Sequence, residues 1–248
     1  MSSSRSIDED VTRLFNENLR KCTIHMRCEA CGQSCGRPYI QTESFTRWLR
    51  SRAPKTSSKI YADLLLAAAF RKSPMQMINV EQLTGSQCCL VVFSILFQFG
   101  RGDLIPLFIR RKIGDGKLPI PLLELKEILQ DERRQASDRG SQSHLRDMGD
   151  TDVAEAFNKR QWAFCAATFD DQSSHDHGKD DVVPICRKTL ITDKGGTAVL
   201  WRVAAQEEFV GQKLRDLSKR TRFKDPDFGW VRDLLMQECC GHDNANRL

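Results

Sequence analysis

Five soft metal ligands crowd one short stretch near the amino terminus: Cys22, His25, Cys28, Cys31 and Cys35. Cys28 and Cys31 have the CxxC spacing that lets two thiolates meet one tetrahedral zinc ion. A structural zinc site closes a loop with a second ligand pair farther along, and only Cys239, Cys240 and His242, at the opposite end of the chain, offer one. The simpler reading is a cluster of reduced thiols. His175 and His177, set among Asp170, Asp171, Asp176, Asp180 and Asp181, are also of metal-binding type, but Ser173, Ser174 and Gly178 mark a polar loop too loose to hold an ion. In ITDKGGTAVLWRV, Lys194, Gly195 and Gly196 can form a tight hairpin whose backbone N–H groups approach phosphate oxygens.

Nucleophilic and acid–base chemistry is poorly provided for. Cys165 or Cys186 could be matched with His175 or His177, but the spacing supplies no orienting residue and no oxyanion donor, so buried inert thiols are expected. Glu207 and Glu208 are adjacent, so their side chains diverge and cannot share a proton.

These residues are carried by a chain of 248 residues, 40% apolar and 29% charged, which is globular composition for one or two domains. The apolar run from Cys88 to Phe99 is about half the ~20 residues that cross a bilayer. The start, MSSSRSIDED, is polar and acidic where a signal peptide is apolar. The expectation is a cytoplasmic or nuclear protein with no membrane partner, and its ten cysteines are read as reduced. Net charge is +5, and all of it lies early: residues 1–60 hold 11 Lys and Arg against 6 Asp and Glu, the rest 27 against 27. Such a basic arm is read as solvated, with a protein rather than nucleic acid as partner.

Four regions follow. Residues 1–57 form a basic, Cys-containing arm, loosely docked, with Val11, Leu14, Phe15 and Leu19 at helical spacing and an amphipathic piece around Phe45, Trp48 and Leu49. Residues 58–132 form a helical domain. Ile60, Leu64, Leu65, Ala68 and Ala69 line one helix, Val80–Phe99 supplies a second, and Gly100 and Gly102 end it. A third has Pro106 in its first turn and Asp103 as cap, with Leu104, Leu107 and Phe108 inward and Arg110, Arg111 and Lys112 in water. Leu122, Leu125, Ile128 and Leu129 mark the fourth. Residues 133–156 read as a linker. In 157–248, β-branched residues around the double glycine predict strand, turn, strand. The fold class expected is α+β, mainly α, a helical domain followed by a small antiparallel hairpin or partial sheet, with a tail helix over Val231, Leu234 and Leu235.

Three segments, GRGDLIPLFIRRKIGDGKLPI, QWAFCAATF and VPICRKTLITDKGGTAVLWRVAAQEEFV, together resemble the amino-terminal part of large fungal protein-kinase-like proteins, in which a helical region precedes a kinase domain. The resemblance covers roughly residues 75–229. It implies that Ile185–Val203 corresponds to the first strands of a kinase amino-terminal lobe, with Gly195 and Gly196 in the glycine-rich loop, and that the chain is truncated before the catalytic domain. Laid on the pattern G-x-G-x-x-G-x-V, Asp193 takes the first glycine, Gly195 matches the second, Ala198 replaces the third and Leu200 takes the valine. Asp193 would repel phosphate. No lysine follows Lys224 to hold the phosphates and no HRD-like loop occurs; Asp227-Phe228-Gly229 comes too soon after the glycines to leave room for the intervening machinery. The expected function is therefore a non-catalytic protein-interaction or regulatory fragment with no cofactor. Two alternatives stand beside it: a nucleotide-binding regulatory fragment that still holds ATP through Lys194, Gly195 and Gly196, and a zinc-dependent nucleic-acid binder using the first sixty residues.

Overall fold

The computed structural model describes residues 3–29, 32–33, 37–54, 58–71, 74, 77–86, 88–138, 150–166, 176–177, 182–192, 198–210, 222–225, 229–239 and 246–247. The chain folds as two compact units, one of Met1–Cys22 with Thr42–Gln161, the other of Thr23–Gln41 with Trp162–Leu248. The fold class is α+β, mainly α, as the sequence predicts. Among the described residues no helix is long and apolar enough to cross a membrane.

The first unit is helical: α1 (Ser3–Cys22), α2 (Thr42–Leu49), α3 (Tyr61–Ala69), α4 (Val80–Thr84), α5 (Leu90–Gln98), α6 (Ile105–Arg110), α7 (Leu122–Asp138) and α8 (Asp150–Gln161). The partition differs from the four regions expected. Helix α1 is no loosely docked arm, because Val11, Phe15 and Leu19 are buried and Phe15 packs edge-on against Phe45 and Phe97, ring centroids 5.7 and 5.0 Å away. Its positive charge lies on the other side of the helix, with Arg13 paired to Asp10 and Glu17. At the far end α8 begins within the expected linker, and Phe157 stacks on Phe108, centroids 5.6 Å apart.

The single apolar helix expected over Val80–Phe99 is two. Asn79 starts α4 with a capping box: its Oδ1 accepts from Glu81 N–H and Gln82 Oε1 accepts from Asn79 N–H, both at 3.1 Å. Gly85 ends it, in an extended conformation. Helix α5 then restarts at Leu90, buried through Leu96. It closes at Gly100, whose φ of +68° suits glycine, with Arg101 N–H on Leu96 O and Gly100 N–H on Phe97 O, each 3.0 Å. Asp103 does not cap α6; its carboxylate faces Arg101 Nε at 3.3 Å, and the turn Gly102–Leu104 leads directly into a helix that has Pro106 in its first turn.

The cap of α5 comes from a distant residue. Asp115 Oδ1 accepts from Val91 N–H at 2.9 Å and Val92 N–H at 3.0 Å. Burial raises the Asp115 carboxyl above its ordinary range, outweighing the N–H groups and Cys88, which pull it down. The folded state thus holds this proton more tightly than the unfolded chain, so the stability linked to it is full below the ordinary carboxyl pKa and lost as pH rises through the folded value. Asp115→Asn keeps an oxygen for Val91 and Val92 without the charge. Urea unfolding at pH 4 and pH 7 should show stability equal to or above the parent at pH 7 and a smaller difference between the two pH values, whereas Asp115→Ala should cost about 1–2 kcal/mol at both.

The second unit is built on a sheet. Its strands are β1 (Thr23–Ile24), β2 (Arg27–Cys28), β3 (Tyr39–Ile40), β4 (Asp176–His177), β5 (Ile185–Thr192), β6 (Ala198–Gln206), β7 (Arg222–Asp225), β8 (Gly229–Cys239) and β9 (Asn246–Arg247). β1 and β3 form a separate antiparallel pair; the larger sheet runs β2-β5-β6-β8-β9-β4, with β7 on β8. All its pairings are antiparallel except β2 on β5. Alternation along β5 and β6 sorts the apolar residues to opposite faces. Cys186, Ala204 and Val231 join Ile24, Tyr39 and Phe209 in one cluster, while Ile185, Val203 and Ala205 join Val210 in another.

Two expectations fail here. The tail helix over Val231, Leu234 and Leu235 is strand β8, because β6 pairs with it from Ala198↔Cys239 to Gln206↔Val231 and that long ladder outweighs a three-to-four apolar spacing. Within the polar loop expected around His175 and His177, Asp176 and His177 form β4, held by β9 at Asp176↔Arg247 and His177↔Asn246.

Candidate functional site

The predicted phosphate loop is flanked by the two strands expected of it. β5 and β6 are antiparallel from Ile185↔Ala205 to Thr192↔Leu200, with a register shift between Leu190 and Thr192. Asp193, Lys194, Gly195 and Gly196 lie outside the described residues. Ala198 and Leu200, at the third-glycine and valine positions of the kinase pattern, lie in β6 opposite Cys239 and Gln237 of β8. β5, β6 and β8 thus stand side by side as an antiparallel three-strand arrangement. In a kinase lobe the lysine that holds the phosphates is on the third strand. β8, which pairs with β6, reads GWVRDLLMQEC and contains no lysine, whereas β7, between β6 and β8 in the chain, carries Lys224.

Of Asp227-Phe228-Gly229, only Gly229 is described; it opens β8 and pairs with Asp225 of β7.

The cysteine cluster is divided. Cys22 ends α1, His25 is exposed, and Cys28 is buried in β2; Cys31 and Cys35 lie outside the described residues. Gly32 N–H donates to Cys28 O at 2.9 Å and Cys28 N–H to Gln33 O at 3.1 Å, a turn that takes Gly32 to φ +67°. Among the described residues no three His, Cys, Asp or Glu side chains come together as a metal's ligands would.

Cys88, Cys89 and Cys165 are not activated thiols. Burial pushes Cys89 and Cys165 each up to about 12, and raises Cys88 as well. Cys186 Sγ donates to Ala204 O at 3.1 Å within the core. His175 lies outside the described residues.

Two polar groupings have no counterpart in the sequence reading. In the helical unit Arg50 Nη2 donates to Cys88 Sγ at 3.1 Å, beside Asp115; residues 38 and 65 positions apart give no spacing signal. In the sheet unit Tyr39 is fully buried, and among the described residues its hydroxyl has no hydrogen-bond partner. Burial, then the charges of Cys186 and Glu208, raises its ionisation far beyond the usual tyrosine range. It is a neutral phenol at every working pH, so it serves neither as base nor as nucleophile. Its ring meets Phe209 edge-on, centroids 5.3 Å apart. Since an unmatched buried hydroxyl costs about 1–3 kcal/mol, Tyr39→Phe should leave stability unchanged or raise it by about 1 kcal/mol, measured as a midpoint shift in urea. A loss above about 1 kcal/mol would mean that the hydroxyl is hydrogen-bonded in solution.

No family model matches the chain, and neither a curated protein nor a solved structure matches it.

Proposed function

We propose that this chain is a non-catalytic, kinase-like fragment that acts in the cytoplasm or nucleus by binding another protein. One observation supports the reading: β8, which pairs with β6 along its length, has no lysine, and the last lysine of the chain is Lys224 in the short β7. Phosphoryl transfer rests on positioned charge more than on covalent chemistry, so a lobe without that lysine loses the group that orients the phosphates. Asp193 in place of the first loop glycine adds a negative charge on the phosphate path. The test is a transfer assay with γ-labelled ATP, magnesium and a generic acceptor protein. No incorporation above the protein-free blank is expected; incorporation that depends on this chain would contradict the reading.

A further inference from the structure

We draw no further inference here: the strongest candidate, the exposed apolar surface patch of Pro119, Pro121 and Leu123 where α7 begins, carries nothing because nothing in the structure shows what covers it.

Discussion

Phe15→Ala is expected to lower the unfolding free energy of the helical unit by about 4 kcal/mol, within the range for emptying a fully buried phenylalanine site. Phe15 is completely enclosed, and its ring lies against Phe45 of α2 and Phe97 of α5, so the deletion opens a void where three helices meet. Both edge-on aromatic contacts go with it. Urea denaturation followed by far-ultraviolet circular dichroism measures the effect. Arg13→Ala, on the solvent face of the same helix, should change stability by no more than about 0.5 kcal/mol. A loss under about 1 kcal/mol for Phe15→Ala would return α1 to the status of a loosely docked arm.

The second large effect is expected at Gln161. This fully buried amide holds the main chain of Ile120 with both ends: Oε1 accepts from Ile120 N–H at 2.7 Å and Nε2 donates to Ile120 O at 2.8 Å. Nε2 also reaches Asn158 Oδ1 at 3.0 Å. Gln161→Leu keeps most of the volume and strands two buried backbone groups, each costing about 1–3 kcal/mol when left unmade, so the expected loss is about 3 kcal/mol. Asn158→Ala removes only the third bond and should cost less than about 1 kcal/mol. Calorimetry should register the first as a fall in Tm of roughly 6–12 °C and the second as a small shift.

What the sequence makes legible and what it hides divide by range. Local chemistry is readable: Pro106 enters the first turn of α6, Gly100 takes the left-handed cap of α5, and Val11, Phe15 and Leu19 share one buried face. β-branched residues on both sides of the double glycine foretell β5 and β6. Partners far along the chain are not readable. Asp115 caps a helix 24 residues earlier, and Gln161 reaches back 41 residues to Ile120. The basic excess of the first sixty residues suggests a free arm because charge is a property of composition, while burial depends on what packs against the helix. β8 shows the same limit: Val231, Leu234 and Leu235 have helical spacing, yet β6 and β7 on its two sides determine a strand.

The candidate site is legible as motif more than as geometry. The two strands expected around the double glycine are present as β5 and β6, and β8 pairs with β6. What flanks β5 is invisible in the sequence, since TLIT reads as any half-buried strand until its neighbours are known. The short β2, drawn from residues before the first domain boundary expected, pairs with β5 at Arg187 and Lys188.

A thermal-shift titration of the full chain with ATP and magnesium, run beside Gly196→Asp, addresses the central claim most directly. On the proposed reading no rise in midpoint is expected up to millimolar nucleotide for either protein, since β8 has no lysine and the sequence has Asp193 where the kinase pattern has its first glycine. A saturable rise that Gly196→Asp abolishes would contradict it, and would identify the glycine loop as a working nucleotide site.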